Sequence, residues 1–186
     1  MGEPREGPPR AVGGVFVGGA SRRMGRPKGR IAGPDGRPLV VRALAVLEEA
    51  GLEAVLVGER PEYAGLGPTI PDAAADAGPL AGLVALLAHA GERRVVALAC
   101  DMPFVTSEDV RALLAIDAPI VAARRDGRWE PLAAVYSQAV STAARARLAG
   151  GRRSLIGLIE AVGAAEAPID PAHLVDWDTP EDVGDP

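Results

Sequence analysis

Five cations stand close together near the amino-terminal end of the sequence, among glycines. The cations are Arg22, Arg23, Arg26, Lys28 and Arg30. The glycines beside them are Gly18, Gly19 and Gly25. Glycine lets the backbone turn sharply and bring its N–H groups close to a phosphate, and arginine and lysine are the side chains that hold phosphate oxygens. This segment, residues 13–30, therefore predicts a binding site for a polyphosphate, and we call it the cradle.

Lys28 is the only lysine among the 20 lysine and arginine residues of the chain. Because every other basic residue is an arginine, the single lysine indicates that this position requires a compact ammonium group. The cradle contains neither G-x-x-x-x-G-K-[ST] nor a G-x-G-x-x-G that opens a helix, so a Walker-type ATPase and a dinucleotide oxidoreductase do not follow. The alternative is a basic surface loop without a ligand, which is disfavoured because such loops rarely follow an apolar strand this directly.

Asp101 comes directly after the apolar run Arg94–Cys100, which is typical of a central parallel strand. Open α/β sheets bind ligands at the carboxyl ends of their strands. Mg²⁺ takes hard oxygen ligands, usually one or two carboxylates together with phosphate oxygens. Asp101 is therefore the predicted metal ligand, and the alternative is an aspartate that stabilises the turn before Pro103.

Two further carboxylates, Asp72 and Asp76, precede a helical pattern that opens at Pro79 and closes at Gly91. Capping of that helix is the ordinary role for Asp76. Other catalytic chemistries find little support. Cys100 is interpreted as a small core residue, because no cysteine–histidine arrangement is suggested, and no G-x-S-x-G elbow of a serine hydrolase occurs.

Short apolar runs alternate with helical patterns along most of the chain. The run at 12–17, the helix that opens at Pro38 and ends near Gly51, and the run at 54–57 predict a βαβ unit with parallel strands. Pro119–Ala123 predicts another strand, and the turn at Asp126–Gly127 predicts that an antiparallel strand follows it. The sequence thus predicts an α/β fold of three layers, α/β/α, with a mostly parallel central sheet.

Helix signals also occur in the second half of the chain. Thr106 and Asp109 have the spacing of a capping box. Helical patterns cover 137–148 and 154–162, and Thr179 followed by Pro180 predicts one more helix start.

Length and composition favour one domain. The chain has 186 residues, which suits a single well-packed domain, and residues 1–10 carry no apolar pattern and are expected to be a mobile tail. The net charge of −5 disfavours nucleic-acid binding. One cysteine excludes an internal disulfide, and without a long apolar run we expect a cytoplasmic protein that does not associate with a membrane.

The cradle resembles the signature of the molybdenum cofactor guanylyltransferases, roughly L-A-G-G-x-S-x-R-M-G-x-x-K, from Phe16 to Lys28. Four more elements of that family follow in the expected order. They are D-(x)n-G-P-L-A-G at 72–82, C-D-x-P-F at 100–104, E-P-L-x-A-x-Y at 130–136 and T-P-E at 179–181. The resemblance covers nearly the whole chain and implies a Rossmann-like nucleotide-binding fold, with residues 11–186 as a single nucleotidyltransferase domain.

The resemblance also implies roles for individual residues. Asp101 would hold Mg²⁺, and Arg22, Arg23 and Lys28 would stabilise the phosphates that are transferred and released. The nucleotide would lie against Phe16, Val17, Gly18, Gly19, Lys28, Asp72 and Asp101. The implied substrates are GTP and molybdopterin carrying molybdenum, the acceptor would lie near 130–136, and a molybdoenzyme or an insertion chaperone is the expected partner.

Several positions depart from the guanylyltransferase pattern. Phe16-Val17 replaces Leu-Ala, and Pro27 before Lys28 is more usual in the related cytidylyltransferases. Asp176 and Asp178 stand where guanylyltransferases typically have asparagine near the pterin. The alternatives are therefore a cytidylyltransferase that uses CTP, a nucleotidyltransferase with another phosphate acceptor, and a nucleotide-binding regulatory module without turnover. Gly18-Gly19 favours guanine.

Overall fold

The structure, a computed structural model, describes residues 11–17, 27–74 and 77–177. A seven-stranded sheet forms its centre. Its strands are β1 (Ala11–Phe16), β2 (Glu53–Val57), β3 (Thr69–Ile70), β4 (Arg94–Ala99), β5 (Ile120–Arg125), β6 (Arg128–Tyr136) and β7 (Ala165–Glu166). Their spatial order is β3-β2-β1-β4-β6-β5-β7, so the strand with which the cradle begins, β1, lies near the middle of the sheet.

The sheet is mostly parallel, as predicted. β1 pairs in parallel with both β2 and β4, β2 with β3, and β5 with β7. β6 is antiparallel to both of its neighbours, β4 and β5. The amino-terminal end of β6 therefore lies at the same edge of the sheet as the carboxyl ends of β1, β2 and β4.

Helices cover both faces of the sheet and complete three layers. They are α1 (Leu39–Glu49), α2 (Pro79–Ala90), α3 (Ser107–Ala115), α4 (Ser141–Ala149) and α5 (Leu155–Val162). α1 and α3 contribute to one apolar cluster, while α2, α4 and α5 contribute to the other. β1 serves both clusters, because Val15 faces the first and Phe16 the second, as the alternation of a strand requires. The predicted α/β/α architecture is confirmed.

The hairpin between β5 and β6 turns at Asp126 and Gly127, as predicted. Their φ angles are +50° and +75°, the positive values that a tight two-residue hairpin turn requires. The pairing register then shifts between Ala122 and Ala123, so that Ala123 lies opposite Glu130. This irregularity sets where the beginning of β6 meets the edge of the sheet.

Most predicted elements are present within one or two residues of their expected bounds. The capping box is also confirmed, because Asp109 accepts the N–H of Thr106 and the Thr106 side chain accepts the N–H of Asp109. The predicted helix over 137–148 instead begins as a 3₁₀ turn, Gln138–Val140, before α4. The helix start predicted at Thr179 and the tail at 1–10 lie outside the described residues. Among the described helices, none is both long and apolar enough to cross a lipid bilayer.

Candidate active site

The candidate site lies at the carboxyl edge of the parallel strands. β1 runs into the cradle there, and β4 ends directly before Cys100 and Asp101. β4 and β6 pair up to Leu98 opposite Ala133. Glu130 lies further toward the start of β6, where burial raises its pKa and the nearby Asp101 charge contributes. Three pieces of chain that are distant in sequence therefore meet at one edge of the sheet, where open α/β folds bind ligands.

Lys28 and Asp101 form an ion pair at the centre of this edge. The Lys28 Nζ lies 3.0 Å from the Asp101 Oδ2. Their side chains retain 19% and 21% of their exposure, so both are accessible from solvent while remaining largely enclosed. The two residues that the sequence assigned to phosphate and to metal are thus adjacent.

A hydrogen-bonded 3₁₀ turn, Lys28–Arg30, holds the backbone of Lys28. The Gly29 N–H donates to the Tyr63 hydroxyl at 3.1 Å, and the Arg30 Nε donates to the Glu62 carbonyl at 2.6 Å. A methyl group at Gly29 would lie only 2.9 Å from the Tyr63 ring, so only glycine fits there without displacement. Sequence reasoning missed this anchor, because nothing in the local pattern links Tyr63 to a turn 34 residues earlier.

Phe16 ends β1 and Val17 follows it, and their side chains are buried in the core on opposite faces of the sheet. The Val17 N–H donates to the Val57 carbonyl at 3.1 Å. These two residues therefore fix where the cradle begins, and their buried side chains leave the backbone as the part that could approach a nucleotide.

Asp72 lies on the same side of the sheet as Phe16. A methyl group built on Gly82 of α2 would lie 2.8 Å from the Phe16 ring and 3.1 Å from the Asp72 Oδ1, so these three residues meet at the first turns of α2. Burial raises the pKa of Asp72, and the Arg60 charge partly opposes that effect. Asp72 is thus a half-buried carboxylate that faces a neighbouring part of the same edge.

Other residues predicted for the site fall outside the described part of the chain. Gly18, Gly19, Arg22 and Arg23 of the cradle, with Asp76 and Asp178, are among them. Their roles stay predictions.

Comparison with known proteins identifies the family. The sequence model of the MobA-like NTP transferase domain matches residues 13–165. A probable molybdenum cofactor guanylyltransferase from Opitutus terrae is 39% identical over 161 residues, which cover 81% of this chain and 78% of the relative. The molybdenum cofactor guanylyltransferase of Rhodobacter capsulatus is 34% identical over 182 residues, 94% of this chain and 93% of the relative.

This chain belongs to the MobA-like NTP transferase family. It is therefore an enzyme of the nucleotidyltransferase class, as the sequence predicted. Two solved structures show the same fold. Molybdopterin-guanine dinucleotide biosynthesis protein A from Archaeoglobus fulgidus superposes with a TM-score of 0.77 at 24% identity, covering 92% of this chain and 94% of its own. The 2-C-methyl-D-erythritol 4-phosphate cytidylyltransferase from Thermus thermophilus gives 0.63 at 21%, covering 93% and 95%.

Members of this family typically use a divalent metal. Across residues 11–17, 27–74 and 77–177, no three histidine, cysteine, aspartate or glutamate side chains converge on a metal position. A single carboxylate at Asp101 nevertheless fits a Mg²⁺ ion that takes most of its ligands from phosphate and water. Asp101 is the carboxylate of this edge that stands directly beside Lys28.

The hairpin of β5 and β6 contains three arginines, Arg124, Arg125 and Arg128. Arg125 bonds two carboxylates, Glu130 at 3.0 Å and Asp176 at 2.6 Å. Arg124 lies over the Trp129 ring, 4.7 Å from its centroid, and 3.6 Å from the Glu166 carboxylate. Arg128 is exposed at the start of β6. Two of the three arginines are thus occupied within the protein.

Asp176 and Trp177 join the site from the carboxyl-terminal part of the chain. The Trp177 N–H donates to the Asp101 carbonyl at 2.9 Å, and the indole packs in a small cluster with Ile31 and Leu39. Asp176 stands where the guanylyltransferase pattern has an asparagine near the pterin, and the structure gives it the Arg125 guanidinium as a partner. Sequence reasoning missed Trp177 entirely, although its position beside Asp176 was a usable signal.

Cys100 is poorly suited to act as a nucleophile. Burial of the thiol, with a smaller contribution from the Asp101 charge, raises its pKa to about 12. The thiolate needed for attack is therefore scarce at neutral pH, which supports the interpretation of Cys100 as a structural residue.

Proposed function

We propose that this chain transfers GMP from GTP to the terminal phosphate of molybdopterin carrying molybdenum, which yields the guanine dinucleotide form of the cofactor and pyrophosphate. The observation that carries the proposal is the Lys28–Asp101 pair at the carboxyl edge, 3.0 Å apart, which joins the cradle to the residue after β4 and Cys100. The names of the guanylyltransferase relatives support GTP and molybdopterin as the substrates.

The reaction is an in-line substitution at the α-phosphorus of GTP. An oxygen of the acceptor phosphate forms the new P–O bond, and the bond from the α-phosphorus to the oxygen that bridges to the β-phosphate breaks. That oxygen leaves with the electron pair as part of pyrophosphate. Because the attacking phosphate is already an anion, no general base is required, and catalysis depends on positioning and on neutralising charge.

Each residue then has a distinct task. Asp101 would hold Mg²⁺, which supplies charge neutralisation on the triphosphate when it is bound. Lys28 would stabilise charge on the phosphates, together with Arg22 and Arg23 of the cradle. Phe16, Val17, Gly18 and Gly19 would bring the backbone to the nucleotide, and Asp72 would accept hydrogen bonds from its base or sugar.

The resting ion pair supports this division of labour. Lys28 and Asp101 hold each other in place, and neither side chain is fully buried. Entry of an anionic triphosphate with its cation offers each side chain a new partner of opposite charge. The pair can therefore exchange its internal contact for ligand contacts without leaving a buried charge unpaired.

The test is calorimetric titration of GTP, CTP and ATP in the presence of Mg²⁺, with the wild-type chain and with Asp101→Ala. The matched control is Asp117→Ala, because Asp117 is an exposed carboxylate just before β5, at the opposite edge of the sheet. The proposal expects GTP to bind selectively, with weaker binding in Asp101→Ala and unchanged binding in Asp117→Ala.

Other outcomes of these measurements would identify a different function. A preference for CTP would identify a cytidylyltransferase, which Pro27 before Lys28 and Asp176 favour. Nucleotide binding without Mg²⁺-dependent release of pyrophosphate in the presence of the pterin would identify a regulatory module. The proposal keeps the cytoplasmic location that the sequence predicts, and it takes a molybdoenzyme or insertion chaperone as the recipient of the product from the family resemblance.

A further inference from the structure

We propose that Arg125 is a positioning residue that ties the segment Val175–Trp177 to the sheet and thereby holds Asp101 and Lys28 in register. We call this tether the Arg125 latch. The tasks of Asp101 and Lys28 in this proposal rest on the proposed function, whereas the Arg125 latch itself rests on contacts between described residues.

Arg125 bridges two separate pieces of chain. Its Nε donates to the Glu130 Oε1 at 3.0 Å, and its NH2 group donates to the Asp176 Oδ1 at 2.6 Å. The three side chains keep between 15% and 28% of their exposure, so the network is mostly enclosed. Charge-assisted bonds of this length are among the stronger polar contacts in proteins. Arg125 therefore joins the β5–β6 hairpin to the Val175–Trp177 segment.

The residue next to Asp176 reaches the proposed metal ligand. The Trp177 N–H donates to the main-chain carbonyl of Asp101 at 2.9 Å. The Trp177 ring meets Phe104 edge to face, with 6.0 Å between the ring centroids. Phe104 and Asp101 belong to the same short loop after β4. The Val175–Trp177 segment thus contacts the loop that carries Asp101 through both backbone and side chain.

The same tryptophan reaches the other half of the ion pair. Its ring, only 8% exposed, packs with the buried Ile31 and Leu39. The Ile31 N–H donates to the Lys28 carbonyl at 2.9 Å, so Ile31 closes the turn that carries Lys28. One segment therefore touches the supports of Lys28 and of Asp101 at once, and the Arg125 latch fixes that segment from the acceptor side.

The segment has a second anchor, which makes the latch testable in a folded protein. The 3₁₀ turn Pro171–Leu174 precedes it, Leu174 is fully buried, and the His173 Nδ1 lies 2.9 Å from the Asp109 Oδ2. Removing the Asp176 carboxylate should therefore loosen the Trp177 end without releasing the whole segment. The fold is expected to survive that change.

The first measurement is quenching of the Trp177 fluorescence by acrylamide. The chain has two tryptophans, so Trp129→Phe leaves Trp177 as the sole emitter. In that background, Asp176→Ala is expected to raise the quenching constant of Trp177 by about twofold, because local opening is easiest where few contacts remain. Arg124→Met is the matched control, since Arg124 is the adjacent arginine of β5 and pairs with Glu166 instead. It should leave the quenching unchanged.

The second measurement is steady-state kinetics with GTP, Mg²⁺ and the pterin acceptor. A positioning role predicts that Asp176→Ala lowers kcat about tenfold while the nucleotide KM stays within about threefold. Asp176→Asn, which keeps an accepting oxygen without the charge, should fall between wild type and Asp176→Ala. Arg125→Met combined with Asp176→Ala should be no worse than the more damaging single variant, because each change breaks the same contact.

Specific results would overturn the latch. They are an unchanged quenching constant in Asp176→Ala, an equal rise of that constant in Arg124→Met, and additive losses of kcat in the double variant. Additive losses would mean that Asp176 acts on a ligand without Arg125. The quenching assay needs no nucleotide. Failure of wild type to bind nucleotide with Mg²⁺ would therefore count against the proposed function, while the quenching result would still decide the latch.

Discussion

The Lys28 Nζ lies 3.0 Å from the Asp101 Oδ2, although 73 positions separate the two residues in the chain. Lys28 lies in the 3₁₀ turn Lys28–Arg30, and Asp101 follows β4, whose parallel neighbour in the sheet is β1. The contact joins the single lysine of the chain to the carboxylate that the sequence predicted as the metal ligand. Chemistry at this edge of the sheet should therefore depend on both charges.

Replacing Asp101 with alanine and replacing Asp72 with alanine should change different kinetic constants. Asp101→Ala removes the proposed metal ligand and is expected to lower kcat by at least about a hundredfold, since charge neutralisation acts mainly in the transition state. Asp72→Ala removes a carboxylate beside Phe16 and Gly82 and should chiefly raise the nucleotide KM. Steady-state kinetics over a range of GTP concentrations checks both, with Asp117→Ala as the neutral control. Equal losses of kcat in the two variants would contradict the assignment.

Lys28 should not tolerate arginine. The turn that carries it is fixed by Gly29 and Tyr63, so the backbone has little freedom to make room for a larger planar guanidinium. Lys28→Arg is expected to lower kcat by about tenfold or more, and Lys28→Met by about a hundredfold, as for the loss of a preorganised charge. Arg37→Lys, a change between the same two residue types at an exposed position, is the control. Full activity in Lys28→Arg would show that any cation suffices.

The contact between Gly29 and Tyr63, which supports the turn that carries Lys28, can be tested by changing either residue. Gly29→Ala places a methyl group 2.9 Å from the Tyr63 ring and should displace the turn, with a loss of stability of about 1–3 kcal/mol from overpacking. Tyr63→Phe removes only the hydrogen bond to the Gly29 N–H and should cost about 1 kcal/mol. Thermal unfolding measures the stability. Combining Gly29→Ala with Tyr63→Leu should recover part of the loss, and no recovery would place the strain elsewhere.

The fold was largely predictable because its signals are local. The apolar run before Asp101, the proline that opens α2 and the Asp126–Gly127 turn each specify a nearby element, and each is found where it was predicted. β3 and β7 were not predicted, because two residues per strand are too few to show alternation.

The sequence predicted individual residues of the site, but it did not predict which of them are in contact. Asp101 and Lys28 each carried a motif, but their contact depends on how the turn that carries Lys28 packs beside the end of β4, which a single sequence does not state. The Arg125–Asp176 bond lies further out of reach, since it depends on the register shift beyond Ala122 and on the path of a carboxyl-terminal segment that has no periodic pattern. Long-range side-chain pairs arise from the assembled sheet, and local propensity carries no information about them.

Cys100 should resist alkylation well into the alkaline range. Burial, reinforced by the Asp101 charge, raises its pKa to about 12, so the thiol stays protonated at pH 9, where an ordinary thiol is substantially ionised. Mass spectrometry after iodoacetamide treatment between pH 7 and 10 should show slow modification in the folded chain and fast modification in urea. Asp101→Asn should speed the reaction only slightly, because burial is the larger cause.

The raised pKa of Cys100 also means that the folded state holds this proton more tightly than the unfolded state does. The stabilisation is present below the ordinary thiol pKa and is lost as pH rises toward about 12. Cys100→Ala should therefore flatten the alkaline decline in unfolding free energy, and an unchanged decline would assign it to other groups.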